Sequence, residues 1–348
     1  MNFPKGVLGA VLLATVVSGV DAQSKEIGVF RTERLSERVL LLTEISPMEN
    51  IVVALASERG LVVVDATGSP VTAGILRNAI ENEFGRDDFA FVIQTHYHWD
   101  HAWGNQAFPE AKVIAHRNSQ DLVSRDRPRL AEVLARRRQT AADLEGSLAD
   151  LRPGSEEREA LEQRRNFEQR IVKGMEGEFD IRDPDFTFAD RMTLNLGDIN
   201  LDLSFFGRAH SGGDILIQIP EEGLLLTGDL FLDIGWLPLF VGQPVLDIPR
   251  WIDVLSQALD GEDHVERVVP GHRVIWSREK LELWRDYIVE LWEGVNAAKA
   301  EGDTLDDVLA RFPLDERFDY LIELGHTDEA LMRFQRENVE SFWRQLFE

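Results

Sequence analysis

Three histidines and one aspartate lie within the six-residue segment His-Tyr-His-Trp-Asp-His at residues 96–101. Zinc favours imidazole and carboxylate ligands, and four such donors exceed what one tetrahedral ion accepts from neighbouring residues. The spacing therefore predicts two metal ions rather than one. A mostly apolar run at residues 89–95 comes directly before the segment and is typical of a buried strand. We therefore expect the ligands to follow the end of a strand.

Three later segments each contribute one more ligand-type residue, in each case shortly after a strand-like run and close to a glycine. These residues are His210, Asp229 and His272. Glycine allows the backbone to turn tightly, so that side chains from separate strand ends can point into one pocket. We therefore expect these three residues to join the cluster at residues 96–101.

The remaining histidines, His116, His264 and His326, stand alone in the sequence. A lone histidine is usually a surface or core residue, so we expect all three to lie outside the metal shell. Asp65 ends a strand-like run at residues 61–64. It is either a strand-end cap or a residue that hydrogen-bonds a ligand histidine or a nearby backbone group.

The chain resembles the metallo-β-lactamase superfamily, whose signature is His-x-His-x-Asp-His. The resemblance continues in the family's order through His210, the Gly-Asp pair that ends at Asp229 and the Pro-Gly-His that ends at His272. It covers roughly residues 28–275. It implies the α/β fold of that family, which is a four-layer αββα sandwich.

The resemblance also implies a ligand set. The residues that match the ligands of the first metal are His96, His98 and His210. The residues that match the ligands of the second metal are Asp100, His101 and His272. Asp229 resembles the carboxylate that bridges both ions in the glyoxalase-like branches. The chain has no cysteine, which excludes the β-lactamase subclasses with a cysteine ligand, and Asp229 argues against the subclass with an all-His/Asp site.

The function implied is that of a metal-dependent hydrolase that acts on a small molecule. Two zinc ions are the expected cofactors, and an aspartate bridge also suits iron or manganese. A hydroxide shared by the two ions is expected to cleave an ester, thioester, lactone or amide, β-lactams included. Asp100 is the expected catalytic residue, because a carboxylate at that position can both bind metal and shuttle a proton.

Two other functions compete with hydrolysis. One is an oxidoreductase of the persulfide dioxygenase type, which uses the same fold with one non-haem iron. The second metal site is usually incomplete in that group, whereas Asp100, His101 and His272 are all present here. The other is a binding protein without turnover, which a complete ligand set disfavours.

Composition indicates an ordinary globular protein. The chain has 348 residues, of which 44% are hydrophobic and 28% charged, so it can bury a sizeable core. The formal net charge of −25 is strongly acidic. Such a charge repels anionic polymers, so nucleic acid is not an expected partner. The oligomeric state is left open by the sequence.

The N-terminus has the pattern of a secretory signal peptide at residues 1–22. A short basic segment precedes 15 apolar residues at 6–20, and small residues at Val20 and Ala22 allow cleavage after Ala22. A spanning helix needs about 20 apolar residues, so a membrane anchor is disfavoured. We therefore expect a periplasmic or secreted protein without a stable membrane span after cleavage. The absence of cysteine permits export but does not demonstrate it.

The remaining chain is expected to form a metallo-β-lactamase-like domain at residues 23–277 and a C-terminal helical extension at 278–348. A helical insertion rich in Arg, Glu, Ala and Leu occupies about residues 117–180, and Pro153-Gly154 divides it. Its basic run at residues 136–138 could attract an anionic substrate, although a solvated helix face paired with nearby glutamates is the favoured reading. The apolar segment at residues 230–240 fits equally well a wall of the substrate pocket or the core.

Overall fold

The computed structural model of the chain describes residues 24–177, 179–231, 247–260, 265–312 and 327–345, except for the side chains of residues 328, 330 and 334. The expected signal peptide lies outside the described residues.

Two β-sheets form the centre of the structure. The first has eight strands in sequence order, namely β1 (Lys25–Ile27), β2 (Phe30–Arg34), β3 (Val39–Glu44), β4 (Ile51–Ser57), β5 (Gly60–Val64), β6 (Phe89–Ile93), β7 (Lys112–His116) and β8 (Phe186–Phe188).

Neighbouring strands of the first sheet are antiparallel from β1 to β5 and parallel from β5 to β8. The second sheet has six strands in the order β14-β13-β12-β11-β10-β9. They are β9 (Arg191–Asn195), β10 (Asn200–Ser204), β11 (Leu216–Ile219), β12 (Leu224–Gly228), β13 (Arg267–Pro270) and β14 (Trp276–Ser277). Only the β12–β13 pair of these described strands is parallel.

Helices cover the outer faces of this double sheet. The α-helices within the described residues are α1 (Pro70–Phe84), α2 (Trp99–Ala102), α3 (Arg117–Asp126), α4 (Leu130–Leu148), α5 (Glu156–Met175), α6 (Ile248–Leu259), α7 (Arg278–Glu301), α8 (Leu305–Arg311) and α9 (Asp328–Gln345). Short 3-10 helices are found at Trp103–Ala107, Arg127–Arg129 and Pro220–Glu222. None of the helices in the described ranges is long and apolar enough to cross a bilayer.

Strand β5 shows why a strand with two covered faces reads as a continuous apolar run. Its residues alternate between two cores: Val62 and Val64 pack between the two sheets, whereas Leu61 and Val63 pack beneath α1. A strand with both faces covered has no polar face to present to water. The second sheet is covered in the same way on its outer side by α6 and α7, through Trp251 and Trp284. The layers are therefore helix, sheet, sheet and helix, which confirms the expected αββα sandwich.

Helix α1 begins earlier than its apolar pattern indicates. The apolar pattern predicts a helix from residue 76 to residue 84, but the helix starts at Pro70. Ser69 caps the first turn by accepting a hydrogen bond from the Val71 backbone, and proline is favoured at the first helical position. The helix ends at Gly85, whose φ of 64° is easily adopted by glycine.

The insertion forms a helical hairpin. Helix α4 ends at Leu148 and α5 begins at Glu156, so the expected division at Pro153-Gly154 lies in the connection. Phe167 and Ile171 of α5 pack with Trp103 in a small core of their own. The hairpin therefore stands directly over the segment that follows β6.

The C-terminal helices pack on the second sheet. Trp284, Leu291 and Phe342 are buried in its outer core. The Pro313-containing segment at residues 311–314 predicts a break in the C-terminal helical extension, and helix α8 ends at Arg311. Residues 313 and 314 lie outside the described part of the chain.

Candidate metal centre

The structure brings all seven candidate ligands together in two adjoining groups. The first group comprises His96, His98, His210 and Asp229, and the second group comprises Asp100, His101 and His272. Within each group the potential ligand atoms all lie within 4.8 Å of one another. His98 is half-buried and the other six side chains are buried.

The topology explains why ligands distant in sequence meet. Strand β6 ends at Ile93, and residues 96–101 follow it directly, with Asp100 and His101 in the first turn of α2. Strands β12 and β13 are parallel neighbours, so their carboxyl ends lie at the same edge of the second sheet. Asp229 and His272 follow those two ends. Ligands placed at the carboxyl ends of strands in this way share one crevice.

Asp229 lies between the two groups. Its Oδ2 atom is 3.7 Å from His96 Nε2, 3.6 Å from His210 Nε2 and 3.4 Å from His272 Nε2. Its Oδ1 atom is 3.3 Å from His101 Nε2. The carboxylate therefore faces members of both groups, as a bridging ligand would.

The donor spacing fits metal ions. Two ligand atoms about 2.1 Å from one tetrahedral ion lie roughly 3.4 Å apart. His101 Nε2 and His272 Nε2 are 3.3 Å apart, and His98 Nδ1 and His210 Nε2 are 3.0 Å apart. His96 Nε2 is buried and has no hydrogen-bond partner among the described residues. A buried nitrogen in that state is costly unless it binds something, and a metal ion would satisfy it.

The histidines of the first group are held neutral. Burial lowers the pKa of His96 well below its usual range, and the nearby His101 lowers it further. Burial, reinforced by His210, lowers the pKa of His98 to about 4. Burial likewise lowers the pKa of His210 to about 4. A neutral imidazole is the form that binds metal, so this group needs to lose no proton at neutral pH.

The carboxylates are held ionised by their histidine neighbours. Burial acts to raise the pKa of Asp229, but His272 and His101 outweigh it and hold that pKa well below its usual range. Burial is likewise outweighed by His101 and His272 at Asp100, whose pKa is lowered. The pKa values of His101 and His272 are raised, because Asp229 and Asp100 outweigh the effect of burial. Without metal, the two carboxylates are thus paired with His101 and His272, which would give up their protons on binding a cation.

Asp65 connects two candidate ligands. Its carboxylate accepts hydrogen bonds from the Thr95 backbone N–H and hydroxyl, both at 2.8 Å, and its Oδ2 atom lies 2.9 Å from His101 Nδ1. Thr95 Oγ1 is in turn 3.1 Å from His96 Nδ1. Asp65 adopts a φ of 62°, which is uncommon for residues other than glycine. The structure therefore gives it both roles that the sequence left open, at the strand end and behind a ligand histidine.

Sequence reasoning missed three groups that position ligands. The backbone carbonyl of Met48 lies 2.7 Å from His272 Nδ1. Asn50 Nδ2 donates to the Asp100 carboxylate at 3.2 Å and to its backbone carbonyl at 3.1 Å. Thr95 was visible only as the residue before His96. The connection between β3 and β4 carries no pattern that would reveal the roles of Met48 and Asn50.

Gly271 is required by its neighbours. A Cβ atom at this position would overlap Asp229 Oδ1 and lie 3.0 Å from His101 Cε1. The glycine of the Pro-Gly-His motif therefore makes room for the candidate bridging carboxylate. This steric role differs from the tight turn that the sequence suggested.

His116 lies outside the cluster, as expected. Its Nδ1 atom accepts a hydrogen bond from the Asn118 backbone at the start of α3, and its Nε2 atom donates to the Ala189 carbonyl at 2.7 Å. His264 and His326 lie outside the described residues.

The apolar segment at residues 230–240 is described only at its start. Leu230 and Phe231 are buried in the core between the second sheet and its helices, and residues 232–240 lie outside the described part of the chain.

The three arginines at residues 136–138 of the insertion have different surroundings. Arg137 donates to the Glu168 carboxylate at 2.9 Å, and Arg138 pairs with Glu176 at 3.0 Å. These two pairs match the favoured reading of a helix face neutralised by glutamates. Arg136 instead lines a cavity beside His98.

Comparison with solved structures finds proteins of the same fold. A solved metallo-beta-lactamase from Pontibacter korlensis is 16% identical, covers 74% of this chain and 98% of its own, and superposes with a TM-score of 0.52. The stereoselective inverting sec-alkylsulfatase Pisa1 from Pseudomonas sp. is 15% identical, covers 90% of this chain and 50% of its own, and has a TM-score of 0.64. At these identities the likeness concerns the fold.

Among characterised sequences, the 2,4-dinitroanisole O-demethylase subunit alpha of Nocardioides sp. (strain JS1661) is 24% identical over 251 residues, which cover 70% of this chain. The chain spans 57% of the length of that relative. The family model of the metallo-beta-lactamase superfamily matches residues 48–272, which is more than half of the chain and includes all seven candidate ligands. The chain therefore belongs to the metallo-beta-lactamase superfamily.

Proposed function

We propose that this protein is a dinuclear metal-dependent hydrolase that acts on a small molecule. The observation that carries the proposal is the position of Asp229, whose two carboxylate oxygens face nitrogen donors of both groups. A single ion bound by the first group would leave the three buried donors of the second group without a ligand to bind. Two complete groups that share a carboxylate support two ions.

The residues that would hold the ions are those of the two groups. His96, His98 and His210 would bind one ion, Asp100, His101 and His272 would bind the other, and Asp229 would bind both. Two bound divalent ions would supply a hydroxide near neutral pH and polarise the oxygen of the substrate. Zinc fits the predominantly imidazole donors, and the carboxylate oxygens are also compatible with iron or manganese.

Asp100 is the residue that we assign to proton transfer. Its Oδ2 atom lies 3.5 Å from both His101 Nε2 and His272 Nε2. The lowered pKa of its carboxyl keeps it ionised, which is the form that can accept a proton from an attacking water. Asn50 holds the same oxygen by a hydrogen bond, which fixes its orientation.

The oxidoreductase alternative requires a single iron in the first group and a second group that binds no metal. The second group is complete here, and it is braced from outside by Asp65 and the Met48 carbonyl. Such bracing is typical of functional metal ligands. Elemental analysis of the purified protein distinguishes the two: two ions per chain support hydrolysis, whereas one iron per chain supports oxygen chemistry.

The bond type is best approached with a panel of substrates. The panel comprises an ester, a thioester, a lactone and an amide, with a β-lactam as the strained amide. The names of the relatives add a sulfate ester and an aryl methyl ether. Hydrolysis of at least one of these by the metal-loaded protein is expected, and its loss on chelation with recovery on readdition of metal would support the proposal.

A matched pair of variants tests the catalytic assignment. Asp100→Asn should preserve the fold and lower kcat by about a hundredfold to ten-thousandfold, the usual contribution of acid–base catalysis. The control is Asp150→Asn, an exposed aspartate in the insertion. Equal activity of the Asp100→Asn variant and the wild type would remove Asp100 from the mechanism.

Export remains part of the proposal. The pattern at residues 1–22 supports secretion or transfer to the periplasm. N-terminal sequencing of the protein recovered from the periplasmic or extracellular fraction should begin at Gln23. Recovery of the intact chain from the cytoplasm would contradict export.

A further inference from the structure

A cavity of about 190 Å³ lies beside the metal centre, between the insertion and the start of α2. Its apolar wall is formed by Trp99, Trp103, Leu130 and Val133. His98 is both a lining residue of this cavity and a member of the first group. A molecule in the cavity is therefore adjacent to the metal centre without being held by it.

Three arginines and one aspartate also line this cavity. Arg137 is already neutralised, because it donates to Glu168 and its guanidinium carbon lies 4.2 Å above the Trp99 ring centroid. Arg129 and Arg136 are exposed and form no ion pair with any acidic side chain that the structure describes. Together they outnumber Asp126, the acidic residue of the lining.

This excess of positive charge is unusual for the chain. Acidic residues outnumber basic ones by 62 to 37, so most of the surface repels anions. Two arginines without an ionic partner beside an apolar wall favour one kind of ligand, an apolar group that carries an anionic end. Guanidinium groups bind carboxylate and sulfonate oxygens in a planar fork, and aromatic side chains stack on rings and pack on alkyl chains.

The size of the cavity suits a small apolar group. A protein cavity of about 150 Å³ accommodates benzene. The 190 Å³ beside His98 is therefore enough for one aromatic ring or a short alkyl chain.

We propose that this cavity is the specificity subsite of the enzyme, and that it selects substrates with a single-ring or short alkyl group and an anionic substituent. Trp99, Trp103, Leu130 and Val133 hold the apolar part, and Arg129 and Arg136 bind the anion. The inference rests on the proposed function, since it assigns the part of the substrate that is not cleaved. The helical insertion then has a direct role in substrate choice.

The test measures binding without turnover, by ¹⁹F NMR titration of the full mature chain with its metals. The anionic probe is 4-(trifluoromethyl)benzenesulfonate, and the neutral probe is methyl 4-(trifluoromethyl)phenyl sulfone. The variant Arg129→Gln/Arg136→Gln should bind the anionic probe about tenfold more weakly, the loss expected for removing charge-assisted hydrogen bonds. Binding of the neutral probe should be unchanged, and Arg152→Gln, an exposed arginine in the α4–α5 connection, should behave as wild type.

A second variant tests the apolar wall. Val133→Trp should fill the cavity and abolish binding of both probes, while thermal unfolding confirms that the chain is folded. Unchanged affinity of the arginine variant for the sulfonate would overturn the proposal, because the anion would then be bound elsewhere, for example by the metals. Equal loss of both probes in the arginine variant would overturn it too. If the binding results are as expected but the protein hydrolyses no substrate of the panel, the hydrolase assignment is contradicted and the assignment of the subsite is not.

Discussion

The carboxylate of Asp65 lies behind His101, with Oδ2 at 2.9 Å from the ring Nδ1 atom, while Nε2 of the same ring faces Asp229 at 3.3 Å. A carboxylate oxygen accepts, so Nδ1 carries the proton and Nε2 is directed into the metal centre. A carboxylate that supports a histidine ligand in this way fixes its tautomer and increases its basicity.

Replacing Asp65 by asparagine should weaken metal binding by the second group. Asparagine tolerates the left-handed backbone of this position. If its amide oxygen accepts from the Thr95 backbone, its NH2 group takes the place of Oδ2 and cannot accept the hydrogen bonds of the Thr95 hydroxyl and His101. The expected loss of affinity is about 10–100-fold, measured by competition with a chromophoric chelator. Asp150→Asn is the control, and equal affinity in the two variants would contradict the positioning role of Asp65.

Gly271→Ala should disturb the centre through volume alone. The added methyl group would meet Asp229 and His101, and overpacking of this kind costs about 1–3 kcal/mol. We expect lower thermal stability and less than the full complement of metal per chain, measured by calorimetry and elemental analysis. Gly146→Ala in α4 has no heavy atom within 4 Å and should instead stabilise the chain by roughly 0.5–1 kcal/mol. Full metal loading of the Gly271→Ala variant would show that Asp229 can move without consequence.

The buried ion pair between Glu44 and Arg170 should anchor the insertion to the first sheet. The two side chains are 2.9 Å apart, and the glutamate side chain is 1% exposed. Burial raises the pKa of Glu44 and Arg170 opposes this effect, so Arg170→Met would leave an uncompensated buried carboxylate. The expected loss in the free energy of unfolding is about 3–5 kcal/mol.

The exposed pair of Arg138 and Glu176 joins α4 to the C-terminal end of α5 and serves as the control. Its loss in Arg138→Met should cost no more than about 1 kcal/mol. The double variant Glu44→Gln/Arg170→Met should be more stable than Arg170→Met alone, since no charge is left buried. Urea unfolding measures all three, and equal effects of the two arginine variants would exclude the anchoring role.

His116 should make the chain less stable in acid. Burial lowers its pKa from the ordinary value of 6.5, although the bond to the Ala189 carbonyl opposes this effect. Above pH 6.5 the ring is neutral in both the folded and the unfolded chain. Below pH 6.5 the unfolded chain binds a proton on His116. The folded chain does not bind it, because Nδ1 already accepts a hydrogen bond from the Asn118 backbone. Stability therefore falls as the pH falls.

The variant His116→Asn retains a side chain that can cap α3 but cannot be protonated. The wild type should therefore lose more stability than the variant on acidification, by at most about 1.4 kcal/mol per pH unit. Urea unfolding of both proteins at several pH values between 7.5 and 5 measures this difference. The other histidines are common to both proteins and cancel. Parallel pH profiles would show that His116 does not contribute.

The candidate ligands could be identified from the sequence because their signals are local. The segment at residues 96–101 places four donors on one strand end, and Asp229 and His272 each follow a strand and a glycine. The two sheets with covered faces were expected from the resemblance to the family, and the helical hairpin from the composition of residues 117–180. The start of α1 was missed by six residues, because its first turn depends on capping by Ser69 rather than on an apolar stripe.

The sequence by itself thus determined which side chains could bind metal and what kind of fold carries them. Only the tertiary structure decided how those side chains are supported and what stands beside them. The Met48 carbonyl that holds His272 comes from 224 residues earlier, and the cavity wall combines α2 with the inserted α4. Such contacts depend on how separate elements pack, and no periodicity or spacing within one element records that packing.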